Sequence, residues 1–277
     1  MHPINKPKRQ VPDVKQGDAQ MINYHGLRLL SRGVLVLGLL LTSISAQNAK
    51  NDIELYKWSG QGWDRVEGSG VRVSVGPNGR PWIVKANGTI LRGTRDGFRQ
   101  LPGAAIDVGV GADGSAWIIG TDNNVYRWTG RTWESAGVRG VAISVDEDGD
   151  PWIVAASGQI SRWDGERFVG VPGFATDIAA ETSVWIVGRD GALQELQSNG
   201  RFSASRGAGV HITTSANGVA WAVNNLGEIY RSVPGGFERM PGAATDIGAN
   251  ARGEVYVIGV ASAPPPQPER RAQPRRR

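Results

Sequence analysis

GADGSAWIIGTDNNVYRWTG (residues 111–130) reads as two short strand-like runs cut by polar turn residues. The same pattern returns as GPNGRPWIVKANGTILRGTR at 76–95 and as DEDGDPWIVAASGQISRWDG at 146–165. One aromatic column marks the period: Trp82, Trp117, Trp152, Trp185, Trp221 and Tyr256, spaced 35, 35, 33, 36 and 35 residues apart. Trp63, Phe98, Trp133, Phe168, Phe202 and Phe237 form a second column. Leu55, Ile90, Val125, Ile160, Leu193 and Ile229 form a third, aliphatic one. Three columns in phase over six copies signal a repeat architecture.

The texture within each copy selects strands over helical hairpins. Gly, Asn, Asp or Pro interrupts the chain every five to eight residues, leaving no window for an amphipathic helix. The intervening pieces are rich in Val, Ile, Trp and Tyr. Residues 104–139 divide into four: AIDVGV, SAWIIG, VYRWTG and TWESAG. The first turn is PNG, ADG, EDG, ANG or ARG in five copies, with Gly where a tight hairpin needs positive φ. The expected fold is therefore all-β, a six-bladed β-propeller of four-stranded antiparallel blades. The repeat begins at IELYKWSG and WDRVEG, third- and fourth-strand sequences, and ends at ATDIGA and EVYVIG, first- and second-strand sequences. One blade must then be closed by joining N- and C-terminal strands, which removes exposed sheet edges.

A slower rhythm overlies the first. LPGAAIDVG, VPGFATDIA and MPGAATDIG place Pro102, Pro172 and Pro241 before Asp107, Asp177 and Asp246. The alternate copies carry Arg72, Ala142 and His211 at the Asp position. These Asp residues are expected to make local hydrogen bonds that fix an entry loop or join neighbouring blades.

Charge is segregated along the 277 residues. Lys and Arg against Asp and Glu number 7 and 2 over 1–50, 19 and 23 over 51–262, and 5 and 1 over 263–277. The acidic body argues against nucleic acid as a partner. There is no cysteine, hence no disulfide and no thiolate metal site. Arg28 and Arg32 precede the apolar run 34–44, and Ser43, Ser45 and Ala46 follow, the pattern of a signal peptide. Residues 1–46 are read as a leader, 47–262 as the propeller, and the Pro/Arg-rich 263–277 as a disordered tail. The expected location is secreted, periplasmic or at the cell surface. No stable membrane span is expected after cleavage, because the run is shorter than the roughly 20 residues a span needs.

The run PGxAxDIGxGxDGSxWxIG followed by xxIYRWxGxxW resembles the tectonin repeat of tachylectin-like and fish-egg-lectin-like β-propellers. The resemblance covers residues 51–262 and is most faithful over 102–133 and 172–190. It implies a sugar-binding propeller with several equivalent sites and no catalytic role. Two copies depart from it: Glu195 and Leu196 stand where others have a basic residue and often Trp, and AAETSVW lacks the turn glycine.

Catalysis finds little support in the residues themselves. His211 is the single histidine of the body and occupies the Asp column, so it reads as structural. DEDGD (146–150) reaches its Gly too early for a calcium loop, so no metal and no cofactor is expected. The Trp82-to-Tyr256 column is expected to fill space between blades. Lys57, Arg92, Arg127, Arg162 and Arg231 should form a ring of basic residues, alternating in direction with Trp58, Trp128 and Trp163. Aromatic faces and basic side chains together suit sugars, so Trp58, Trp128, Trp163, Lys57, Arg127 and Arg162 are the candidate ligand-binding residues. Glycans or glycoconjugates are the expected partners of a lectin. A protein-interaction scaffold is the alternative, and a streptogramin-lyase-like enzyme a third reading that the shorter period and single His disfavour.

Overall fold

The computed structural model describes residues 51–260, and the leader and tail readings lie outside them. The described residues are strands and tight turns, with one 3-10 turn at Ala216–Gly218. No helix among them is long and apolar enough to cross a membrane.

The chain opens with β1 (Ile53–Trp58) and β2 (Trp63–Gly70). A four-stranded unit follows: β3 (Arg72–Val75), β4 (Pro81–Val84), β5 (Ile90–Thr94) and β6 (Gly97–Leu101). The next is β7 (Ala105–Val110), β8 (Ala116–Gly120), β9 (Asn124–Trp128) and β10 (Trp133–Arg139). Then come β11 (Ala142–Val145), β12 (Pro151–Val154), β13 (Gln159–Trp163) and β14 (Phe168–Ala179). β15 (Trp185–Gly188), β16 (Ala192–Leu196), β17 (Phe202–Ala208) and β18 (His211–Ser215) continue the series. β19 (Val219–Val223), β20 (Glu228–Val233), β21 (Gly236–Ala249) and β22 (Val255–Val260) complete it.

Every sheet pairing among the described residues is antiparallel, and all join sequence neighbours except β1 with β22, where Leu55 lies opposite Ile258 and Lys57 opposite Tyr256. Residues 53–70 and 243–260 thus share one sheet, as the split frame of the repeat requires. The hairpin glycines Gly79, Gly114, Gly149, Gly218 and Gly253 all have φ between 73° and 89°, which explains the PNG, ADG, EDG, ANG and ARG turns. Two strands depart from the four-piece reading. β14 and β21 run through the boundary between units, pairing with one sheet by their first half and with the next by their second.

The columns occupy distinct layers. All six residues of the aliphatic column are at most 1% exposed, the deepest positions of the third strands. The Trp82-to-Tyr256 column is buried in every copy. It lies between sheets: Trp221 is packed by Trp58 and Trp63 of the following unit, and Trp117 by Trp163.

The slower rhythm resolves into hydrogen bonds between neighbouring first strands. Asp107 accepts from the Ile143 N–H at 2.9 Å, Asp177 from Ile212 at 2.9 Å and Asp246 from Val73 at 2.7 Å. At the alternate junctions a hydroxyl takes over. Ser74 accepts from Val110 N–H, Ser144 from Ala180 N–H and Thr213 from Ala249 N–H, at 3.0–3.1 Å. A buried backbone N–H needs an acceptor, and the chain supplies carboxylates and hydroxyls in turn. The copy that lacks its turn glycine adds Glu181 to these links. Its buried carboxyl accepts from the Thr214 hydroxyl at 3.0 Å and the Ser144 hydroxyl at 3.3 Å, tying together the units on either side.

Candidate functional site

The residues singled out from the sequence fall into two layers. The basic residues lie directly across the sheet from the buried aromatic column: Arg92 faces Trp82, Arg127 Trp117, Arg162 Trp152, Arg231 Trp221 and Lys57 Tyr256. Each cation sits 5.3–5.8 Å from the ring centroid of its partner, within cation–π range. Lys57 also pairs with Glu254 at 2.9 Å. Cation and aromatic thus form one stacked pair in five of the six copies.

Trp58, Trp128 and Trp163 are half-buried. Each stands opposite a residue of the second column and packs on it: Trp58 on Trp63 at 5.0 Å, Trp128 on Trp133 at 4.8 Å, Trp163 on Phe168 at 5.3 Å. The indole N–H groups of Trp63 and Trp133 donate to the carbonyls of Pro241 and Pro102 at 2.7 and 2.8 Å. Two of the three proline loops are therefore acceptors for a ring that the outer tryptophans hold in place. The third faces Phe202, which has no N–H to give.

Two grooves at equivalent places in the repeat open beside this layer. The first, about 250 Å³, is lined by Gly103, Ala104, Ile118, Thr121, Tyr126 and Trp133, with Asp122 at its rim. The second, also about 250 Å³, is lined by Arg206, Gly207, Ala208, Asn224, Tyr230 and Phe237. Each combines an aromatic of the second column, a third-strand tyrosine and small residues at the end of the preceding unit.

The tyrosines are held by carboxylates. The Tyr126 hydroxyl donates to Asp122 at 2.7 Å, Tyr230 to Glu228 at 2.9 Å and Tyr56 to Glu54 at 3.3 Å. The Tyr126 hydroxyl, then the Asn124 N–H, hold the Asp122 carboxyl below its ordinary range. The Asn224 amide, then Tyr230, do the same for Glu228. Both remain anionic acceptors at neutral pH, beside an aromatic face. Hydroxyl-rich ligands suit such walls, with C–H faces on the rings and O–H groups on the carboxylates. The tyrosines were present in the sequence, but Glu54 and Glu228 share an offset that Asp122 does not, so no single column marked all three carboxylates.

A second cluster lies where the first strands converge. Arg72, Asp107, Asp177, His211 and Asp246 line a cavity of about 40 Å³ together with Glu181. His211 Nδ1 is 3.4 Å from Asp177 and 3.5 Å from Asp246, and its Nε2 is 3.4 Å from Arg72. Arg72 lies 3.6 Å from Asp246 and 3.8 Å from Asp107. The volume admits about one to three water molecules and no organic substrate. His211 belongs to this ion-paired junction.

The cluster has a sign that can be measured. Burial pushes the Asp107 and Glu181 carboxyls up to about 7 and raises Asp246. Burial opposes charge on His211, but Asp177 and Asp246 outweigh it and its pKa is raised. In each case the folded state binds protons that the unfolded chain has released, so stability increases as pH falls through this window. The thermal midpoint should rise from about pH 8 to about pH 5, by roughly 2–4 kcal/mol of stability. Asp107→Asn, which keeps an acceptor for Ile143, should flatten that rise in a calorimetric pH series. An unchanged slope would remove Asp107 from the account.

Residues 82–162 match the model of the Tectonin domain family. No curated protein sequence matches the chain. Among solved structures, U3-55K aligns with a TM-score of 0.51 at 10% identity, covering 71% of this chain and 74% of its own. Human WBSCR16 aligns with a TM-score of 0.51 at 9% identity, covering 76% and 100%. YCF48 bound to D1 peptide gives a TM-score of 0.47 at 14% identity, covering 78% and 94%. For U3-55K and WBSCR16, at these identities, the likeness is one of fold alone: all-β, antiparallel and propeller-like.

Proposed function

We propose, from the match of residues 82–162 to the Tectonin domain family, that the protein is an exported lectin built as a closed six-bladed propeller, binding glycans in grooves between blades. The pairing of β1 with β22 supports closure. So does the packing of β21 against β3, which continues the series of first-strand neighbours back to its start. The observation that carries the binding reading is the recurring groove, where a carboxylate-held tyrosine and a second-column aromatic face small residues of the preceding blade.

Trp128 serves the first groove by backing its wall residue Trp133, and Trp58 and Trp163 back Trp63 and Phe168 at the equivalent positions of their own units. Lys57, Arg127 and Arg162 serve it by stacking on the inner aromatics and leaving polar edges at the surface. Each groove is small and open, so single-site binding is weak and a dense glycan surface raises it through linked sites. The 40 Å³ size of the cavity around His211 favours this binding role over catalysis.

A glycan array followed by titration of the best ligand tests the reading. Tyr126→Phe with Tyr230→Phe should weaken binding by about tenfold, the equivalent of one lost hydrogen bond to a charged network per groove. The thermal midpoint should change little, because both hydroxyls lie near the surface. Absence of glycan binding by the parent chain would favour the protein scaffold instead.

A further inference from the structure

The six copies of the stacked pair contain one exception, and it opens a groove of its own. Trp185 faces Glu195 across β15 and β16, where the other five column aromatics face Arg or Lys. Among the described residues no cation lies over the Trp185 ring, and the Glu195 carboxylate has neither an ion pair nor a hydrogen bond. The following unit also withholds its cap. The position that is Trp58, Trp128 or Trp163 elsewhere is Ser232 here, and Phe237 reaches the ring edge-on at 6.0 Å. Both omissions fall on the same groove, about 540 Å³, lined by Trp185, Glu195, Arg206, Ser232, Gly236 and Phe237.

We propose that this groove binds the side chain of an arginine or lysine from a peptide partner, its cation over Trp185 and against Glu195. The argument rests on the chain's own copies. Five times the fold places the charged end of an Arg or Lys side chain over this aromatic ring. At the sixth, the cation is replaced by a carboxylate, which attracts the missing charge from outside. Stacking on an aromatic face and pairing with a carboxylate are both stronger where water is partly excluded. Arg206 lines the same groove and offers a donor to a peptide carbonyl or carboxylate. The groove shares Arg206 and Phe237 with the Tyr230 groove but has its own aromatic and carboxylate, Trp185 and Glu195, and requires no glycan binding.

The test follows the Trp185 indole N–H resonance of the full chain, assigned through Trp185→Phe, during titration with N-acetyl-arginine amide. Saturable shifts are expected, about tenfold weaker in Glu195→Gln. Glu195→Arg restores the residue type the other copies carry, so it should fold and should abolish binding. N-acetyl-norleucine amide, which has a stem without charge, and glucosamine, which has charge without a stem, should each bind at least tenfold more weakly. An absent shift, unchanged affinity in Glu195→Arg, or equal binding by either control would overturn the proposal.

Discussion

Removing residues 51–70 is expected to abolish cooperative unfolding rather than lower its midpoint by a few degrees. β1 and β2 are two strands of the sheet that begins with β21 and β22. Their loss exposes the edge of β22 and uncovers Tyr256, Val257 and Ile258, all buried in the intact chain. It also removes Leu55 and Trp63, whose sites would each cost about 2–5 kcal/mol when emptied. Trp221 loses two of its aromatic neighbours, Trp58 and Trp63. The sum reaches the whole margin of a typical domain, about 5–15 kcal/mol. Calorimetry and near-ultraviolet circular dichroism of the truncated chain decide it. A sharp transition at the parental midpoint would show that the terminal strands are accessory and that the rest of the fold does not depend on them.

The terminal pairing was legible because it needs only the order of strand types, which the repeat displays in sequence. The hairpin turns were legible for a similar reason: Gly79, Gly114, Gly149 and Gly253 each precede a strand at a fixed distance and each carries positive φ. The role of Asp107, Asp177 and Asp246 could be narrowed to a hydrogen bond that either fixes an entry loop or links neighbouring units, since an acid at the start of an internal strand needs a donor. Which donor it finds depends on how two units meet, and only the fold shows that. The same limit applied to the basic column. Strand alternation separates Arg127 from Trp128, but it does not say that Arg127 lies across from Trp117 in the adjacent strand. The grooves were least visible. Asp122 precedes Tyr126 by four residues, whereas Glu228 precedes Tyr230 and Glu54 precedes Tyr56 by two. Glu54 and Glu228 share the position before the aliphatic column, but at Tyr126 that position is Asn124 and the acid comes from the turn instead.

Replacing Trp117 with Ala is expected to destabilise the fold by about 3–5 kcal/mol, the usual cost of emptying a buried aromatic site. Trp117 is 4% exposed and lies in a cluster with Ile119, Val125, Ile143, Val145 and Ile153. Its loss would also leave Arg127 without the ring it stacks on and Trp163 without a neighbour at 6.5 Å. Trp128→Ala should cost less, because that ring is only half-buried, yet it should weaken glycan binding more than Trp117→Ala does in molecules that remain folded. Trp128 backs Trp133 at 4.8 Å, and Trp133 forms one wall of the first groove. Without that support the wall can turn away from its Pro102 acceptor, and the ligand must then bear the cost of ordering it. Arg127→Ala should act in the same direction through the loss of its charge at the surface. Calorimetric unfolding paired with glycan titration on the three variants separates the two layers. If Trp117→Ala and Trp128→Ala lose equal stability while affinity stays at the parental value, both layers are core, and the groove owes nothing to the outer tryptophans.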